Sequence, residues 1–332
     1  MKILKTAIIG CGFIGKKRAM ALSNKYQLVS CFDISKEKTT KFASEFSVKL
    51  CDDVDDIFLN EDIDLVIIAT LHDSLASLTL KALEAGKHVL VEKPAGRNFK
   101  ELESIINYLK NSNLKVKVGF NHRYHRALLK AKELVLQDNL GDLMFIRGRY
   151  GHGGRIGYDN EWRSDPKLSG GGELIDQGPH LIDLSRMFLG DFVDIKGHAQ
   201  TLYWDMPVDD NAFMVLQNKN KQTAFLQVSC TEWKNMFSFE IYGKKGKIDI
   251  NGLGGSYGTE KVTFYKMLPK MGPPETYSWE FPMQDNSWKV ELDEFYDDII
   301  KNRDVKGNMN DAYEALKIVN SIYKDSNYDH CS

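Results

Sequence analysis

Residues 6–33 narrow the choice of fold more than any other stretch. Thr6-Ala7-Ile8-Ile9 reads as a buried strand, and Gly10-Cys11-Gly12-Phe13-Ile14-Gly15 follows at once. A helical pattern runs through Lys16–Ser23, and a second strand, Gln27–Phe32, ends on Asp33. The spacing G-x-G-x-x-G says little alone. Set between a strand and a helix, with an acid closing the next strand, it reads as the turn that cradles a dinucleotide pyrophosphate. Gly10 makes the tight turn, Gly12 lets the backbone approach the phosphates, and Gly15 lets helix and strand pack closely. Asp33 stands where a carboxylate accepts from a ribose 2′-hydroxyl and repels a 2′-phosphate. NAD is therefore expected rather than NADP, with Lys36 nearby to soften the preference. The plainer reading is a structural glycine turn with a surface aspartate.

The alternation continues. Helical patterns over 39–46, 52–59, 74–85 and 99–110 separate apolar strands at 63–69, 88–91 and 116–120, and Gly86 closes the helix before it. Strands alternating with helices imply right-handed crossovers and a parallel, doubly wound sheet. The expected fold class is α/β, a Rossmann dinucleotide-binding domain over 1–120. From residue 121 the pattern changes. A helix at 127–137 and a strand at 142–150 precede a polar, glycine-rich excursion over 151–169, and a helix over 170–189 follows. Strands then run in series near 192–203, 209–217, 222–232, 236–243 and 246–250, with 261–267 and 276–281 as further candidates. Gly243-Lys244-Lys245-Gly246 reads as a hairpin turn. Helices at 288–301 and 311–323 and a frayed tail over 325–332 close the chain. Residues 121–332 are thus expected to form an α+β domain with a large, mainly antiparallel sheet. Its open face is a surface for a homodimer or homotetramer.

Composition excludes more than it assigns. A net charge of −2 over 332 residues exerts no global pull on nucleic acid or anionic membranes. Five cysteines without a CxxC pair fit reduced thiols. The apolar run Ala7–Ile14 is glycine-broken and too short for a secretion signal, and no stretch approaches the ~20 apolar residues of a membrane span, so a cytoplasmic protein is expected. His122-x-x-His125 with His152 hints at zinc but lacks a third ligand at a recognised spacing, so no metal is expected.

The stretch His88-Val89-Leu90-Val91-Glu92-Lys93-Pro94 is an apolar strand that ends in an acid, a base and a proline. In an open parallel sheet, ligands sit beyond the carboxyl ends of the strands, which sets Glu92 and Lys93 at the nucleotide site. This stretch, preceded by Ala85-Gly86-Lys87, lies between the glycine turn and two later motifs. These are Gly119-Phe120-Asn121-His122-Arg123-Tyr124 and Gly170-Gly171-Gly172-Glu173-Leu174-Ile175-Asp176-Gln177-Gly178-Pro179-His180-Leu181-Ile182-Asp183. Four motifs in this order resemble the glucose–fructose oxidoreductase / inositol dehydrogenase / rhizopine-catabolism (Gfo/Idh/MocA) family over nearly the whole chain. The resemblance implies an active centre of Lys93, Asp176 and His180. The cofactor contacts expected are Gly10, Gly12, Phe13, Ile14, Gly15, Asp33, Thr70, His72, Glu92, Lys93 and Asn121. Arg123, Tyr124, Arg155, Trp162 and Arg163 are expected at the substrate, together with Asp176 and His180. One departure stands out. Where the family often has Thr-Pro-Asn-x-x-His, this chain has Thr70-Leu71-His72-Asp73-Ser74-Leu75, which puts the contacts to the nicotinamide half in doubt.

The residue types suit oxidation of a secondary alcohol. An imidazole near neutral pKa serves as the base, which is the role given to His180. On a continuous helix Asp176 and His180 are i and i+4 and share a face, and Asp183 is placed to hold the second imidazole nitrogen. Lys93 donates to the substrate oxygen as negative charge builds. Gly170–Gly172 bring backbone close to substrate. In the excursion, Arg155, Arg163 and Trp162 suit a phosphate or a stacked base as well as they suit an ordinary surface loop. Arg147 and Arg149 are sheet-surface charges or interface residues. The expected activity is hydride transfer between nicotinamide and a secondary alcohol or ketone of a sugar, foremost a nucleotide sugar. The alternatives are an inositol or free-sugar dehydrogenase, an NAD-dependent glycosidase, and a non-enzymatic NAD-binding regulator.

Overall fold

The computed structural model describes residues 2–328, and Cys331 with the end of the expected tail lies outside them. The chain divides into two compact units, Met1–Phe120 with Trp288–Tyr313, and Asn121–Ser287 with Glu314–Ser332.

The first unit is built as the sequence pattern dictates. Its elements are β1 (Leu4–Ile9), α1 (Phe13–Ala21), β2 (Tyr26–Phe32), α2 (Lys36–Phe46), β3 (Lys49–Leu50), α3 (Asp55–Phe58), β4 (Leu65–Ile68), α4 (His72–Glu84), β5 (His88–Val91), α5 (Glu103–Leu109) and β6 (Val116–Val118). The strands pair in parallel in the order β3-β2-β1-β4-β5-β6. β4 is buried at all four residues, as a central strand covered on both faces must be. The helix expected over 99–110 begins instead as a 3-10 turn, Phe99–Leu102, because the Asn98 side chain accepts from the N–H groups of Lys100 and Glu101. β3 has no apolar pattern of its own. It exists because Ser47, in the left-handed region at φ 54°, turns the chain back to pair with Ser30 and Cys31.

Residues 288–313, given to the second domain on sequence grounds, belong to this first unit. Leu292, Phe295 and Tyr296, with Ile299 one turn on, form the apolar stripe of α10 (Ser287–Ile300). That stripe closes the core formed by Leu4, Ile8, Phe42, Leu65 and Leu90. A buried charge cluster sits beside it. Arg18, with no exposed surface, reaches Glu92 through Nε and Glu291 through Nη1, over the Trp288 ring at 4.3 Å. Gly119 is glycine because a Cβ there would lie within 3 Å of both Arg18 and Glu92.

The second unit holds α6 (Arg126–Leu136), β7 (Leu143–Gly151), α7 (Pro166–Ser169), α8 (Glu173–Asp176) and α9 (Gly178–Leu189). The remaining strands are β8 (Phe192–Gln200), β9 (Asn211–Asn218), β10 (Thr223–Ser229), β11 (Met236–Gly243), β12 (Gly246–Asn251), β13 (Glu260–Lys266) and β14 (Glu275–Phe281). The order is β14-β13-β12-β11-β7-β10-β9-β8, antiparallel except for the β7–β10 pair. Period-two burial places Ile146, Gly148 and Tyr150 on the inner face of β7, which α9 covers. Arg147 lies on the opposite, open face beside Glu240 of β11, its Nε 2.8 Å from Oε2. The last helix, α11, spans Met309–Asp325.

The single helix expected over 170–189 is two. α8 stops at Gln177 and α9 starts at Gly178, with Pro179 in its first turn. Proline has no N–H to continue an α-helical ladder, and the His180 N–H falls back to Gln177 O at 3.2 Å. Asp176 and His180 are therefore not i and i+4 on one helix.

Candidate active site

In the first unit, the glycine turn has the expected economy of space. Gly10 has φ +98°, and a Cβ on it would run into the Ala69 carbonyl oxygen; a Cβ on Gly15 would collide with the Gly10 carbonyl. Gly12 differs, because a Cβ there would meet nothing within 4 Å. The space above the turn is open, a cradle into which backbone N–H groups and the start of α1 present their donors. Asp33 is fixed beside it, accepting from Cys11 N through Oδ2 and from Ser35 N through Oδ1, both at 2.9 Å. This arrangement fits the pyrophosphate and ribose of NAD. Phe13 stands exposed at the start of α1, with Ile14 half-buried behind it.

Lys93 lies two residues beyond the end of β5 and is half-buried. Glu92, expected to touch the cofactor, is bound through Oε1 to Arg18 at 2.5 Å, which makes its carboxylate part of the buried charge cluster. Thr70 Oγ1 accepts from Ser74 Oγ at 2.8 Å, His72 opens α4 as a buried residue, and Leu75 is wholly buried. The leucine at the family's histidine position thus belongs to the core of α4.

In the second unit, the D-x-G-x-H motif is tied to the excursion before it. Arg163 Nε donates to Asp176 Oδ2 at 2.9 Å, and its guanidinium lies 4.6 Å over the Trp162 ring. Burial works against the Arg163 charge, but the Asp176 carboxylate outweighs it and holds the guanidinium above its ordinary value. Arg155 is held by Glu161 at 2.6 Å. Arg123 forms a two-point pair with Asp183, Nε to Oδ2 at 2.6 Å, which gives Arg123 a structural duty where substrate contact was expected. Asn121 Nδ2 donates to Ser287 Oγ at 3.0 Å, and Tyr124 is buried. His180 lies face to face with His122, ring centroids 3.7 Å apart and planes 14° apart.

The glycine triplet has a different use from the one expected. A Cβ on Gly171 would strike the Tyr323 phenol, and one on Gly172 the Asp209 carbonyl. Asp209 holds the turn from beneath, accepting from Gly172 N at 2.9 Å, Leu174 N at 2.7 Å and Tyr323 Oη at 2.6 Å. Burial pushes the Asp209 carboxyl up to about 6, even though these donors favour its charged form. Glu173, buried beside Asp176, faces Tyr158 Oη and His152 Nε2, each at 3.4 Å. The Gly154 N–H donates to His152 Nδ1 at 3.0 Å. Burial lowers the His152 pKa, but the Glu173 carboxylate raises it further, above the ordinary value.

Sequence reasoning missed Asp209, Tyr323, Arg18 and the pairing of His122 with His180. Each acts on a partner far along the chain, where no local pattern reaches. The nitrogen and oxygen atoms of His125, Glu260 and Asp285 lie within 4.8 Å of one another. Here His125 Nδ1 is hydrogen-bonded to Glu260 Oε1 at 2.9 Å, and Glu260 Oε2 accepts Ala127 N in the first turn of α6. A helix cap accounts for both buried members.

Two models of one family lie end to end on the chain. The oxidoreductase family, NAD-binding Rossmann fold, matches residues 4–120, and the GFO/IDH/MocA C-terminal domain matches residues 128–249. The chain belongs to the Gfo/Idh/MocA oxidoreductases. As a member of that family it is an NAD-binding enzyme of oxidoreductase type. It is 25% identical over 292 residues to levoglucosan dehydrogenase of Pseudarthrobacter phenanthrenivorans, covering 76% of this chain and 74% of that protein. It is 28% identical over 283 residues to glucose-6-phosphate 3-dehydrogenase of Bacillus subtilis, covering 80% and 77%. A solved levoglucosan dehydrogenase in complex with NADH and L-sorbose has the same fold, with a TM-score of 0.89 at 23% identity over 99% of this chain and 98% of that one. Among the described residues no helix is long and apolar enough to cross a membrane.

Proposed function

We propose that this enzyme is an NAD-dependent dehydrogenase or ketoreductase acting on a ring secondary alcohol of a sugar. The first unit binds the dinucleotide, with Asp33 accepting from the ribose 2′-hydroxyl; the second unit binds the sugar. The observation that carries this reading is the retention of Lys93, Asp176 and His180 in a chain of this family, with Asp176 held by Arg163. When bound, the nicotinamide ring supplies the acceptor for the hydride that leaves the alcohol carbon. His180 removes the hydroxyl proton, and the Lys93 ammonium donates to the same oxygen as negative charge develops. Asp176, steered by Arg163, accepts from a sugar hydroxyl and fixes the ring.

A free or simply substituted sugar is favoured over a nucleotide sugar, because Arg155 and Arg163 are both held by carboxylates of this chain. Relatives named for levoglucosan and for glucose 6-phosphate support the same class. The nucleotide-sugar reading retains one observation in its favour, the exposed Arg155 in the excursion that also carries Trp162. A panel of free aldoses, anhydrosugars, sugar phosphates, inositols and nucleotide sugars, run with NAD and with NADP, tests the proposal. NADH should form with sugars that carry no nucleotide, and NAD should be preferred over NADP. Turnover confined to nucleotide sugars overturns the choice of a free sugar, hydrolysis without net NADH favours a glycosidase, and turnover on nothing in the panel removes sugars as the substrate class.

A further inference from the structure

We propose that His122 is a positioning residue for His180, holding the plane of its ring and setting the pair to take up one proton while resisting a second. This rests on the reading of His180 as the base. His122 belongs to the 3-10 turn Asn121–Tyr124 and is 5% exposed; His180, in the first turn of α9, is 4% exposed. Their rings are stacked at 3.7 Å.

An imidazole accepts and donates protons only in its own plane, so whatever fixes the plane fixes where the basic nitrogen points. The stack covers one face of His180, and further rings stand around the pair. Tyr150 of β7 stands edge-on to both rings, at 5.0 Å from His122 and 6.0 Å from His180. Phe237 of β11 stands edge-on to His122 at 5.8 Å, and His125 does so at 5.5 Å. The next residue in the turn repeats the grip, since Arg123 holds Asp183 one turn further along α9. Two adjacent side chains of one short turn thus grasp two successive positions of the helix that carries the base.

The same stack governs charge. Two imidazolium rings at this separation repel, so the pair takes up one proton readily and resists a second. Titratable groups near the pair include Tyr150, beside Tyr257, on β7; His125, bonded to Glu260, in the turn; and, on the run bearing His180, Glu173, Asp176 held by Arg163 and Asp183 held by Arg123. When His180 accepts a proton, the neutral face of His122 remains against the new cation, where a π-face is favourable.

The test combines kinetics of His122→Ala, His122→Phe and His180→Ala between pH 5 and 10 with an NMR titration of the His180 imidazole in the full-length protein. The sugar identified by the panel serves as substrate. His122→Ala should lower kcat by about 10- to 100-fold while leaving KM for NAD within about twofold. His122→Phe should recover most of kcat by restoring a flat ring. The His180 resonance should titrate in two steps in the wild type and in one step in His122→Phe, a change that a merely structural role would not produce. A kcat for His122→Ala within twofold of the wild type, or a His180 titration identical in the wild type and His122→Phe, overturns the proposal. Full turnover by His180→Ala would refute the base reading instead, and the NMR titration of His122 in that variant would still decide whether protonation of one ring opposes protonation of the other. If His122→Ala fails to fold, His122→Phe carries both measurements.

Discussion

Arg18 shows how much one side chain decides here. It is wholly buried between Glu92 and Glu291, so removing it leaves two carboxylates in a dry site without their cation. Burial raises the Glu291 pKa, the nearby Glu92 charge adds to the rise, and Arg18 is the foremost group opposing it. Arg18→Met should therefore lower the free energy of unfolding by about 3–5 kcal/mol, read from urea denaturation; a loss below ~1 kcal/mol would show that the cluster contributes little. In sequence, Arg18 is only the last residue of Lys16-Lys17-Arg18 and reads as surface charge. Its partners lie 74 and 273 residues away, beyond any local pattern. Lys93, Asp176 and His180 could be nominated from the sequence because each sits in a motif whose spacing is local. Glu92 stands in the same motif, but its pairing with Arg18 was not legible, since a motif reports the presence of a carboxylate and not which cation it meets.

At the scale of elements, the run from Gly170 to Leu189 carries the lesson. Its apolar residues fit one helix, and only the Gly178-Pro179 step betrays the break. The glycine triplet was read as space for substrate, yet Tyr323 and Asp209 fill that space. Asp209 makes this turn sensitive to pH. The folded chain keeps the Asp209 proton up to about pH 6, whereas the unfolded chain releases it near the ordinary value of 3.8. Between those values the folded state binds more protons, so stability falls as pH rises through the window and is flat for this group above it. Asp209→Asn should flatten that decline. The wild-type-minus-variant difference in unfolding free energy should fall by roughly 2–3 kcal/mol between pH 4 and pH 6.5. A difference independent of pH would show that Asp209 ionises freely in the folded protein.

At the scale of the whole molecule, both sheets were legible as classes, because helix–strand alternation and strands in series are strong periodic signals. Strand order was not, and neither was the return of residues 288–313 to the first unit, which depends on where the stripe of α10 finds its core. The open face of the second sheet remains the candidate self-association surface. A row crosses it through Val215, Phe225, Arg147 and Glu240, and Phe225 is 50% exposed. Light scattering should give a dimer or tetramer of the 37.8 kDa chain, and Phe225→Arg should shift it towards monomer. A wild-type monomer at working concentration would remove this surface from the account.

Lys93, just beyond β5, is proposed to serve the chemistry, with any contact it makes to NAD adding little to affinity. Turnover and NAD affinity of Lys93→Ala, measured on the same preparation, test it most directly. The account predicts that kcat falls by about 10²–10⁴-fold while the Kd for NAD stays within about threefold. Near wild-type turnover, or a loss of NAD affinity large enough to explain the loss of activity, would contradict it.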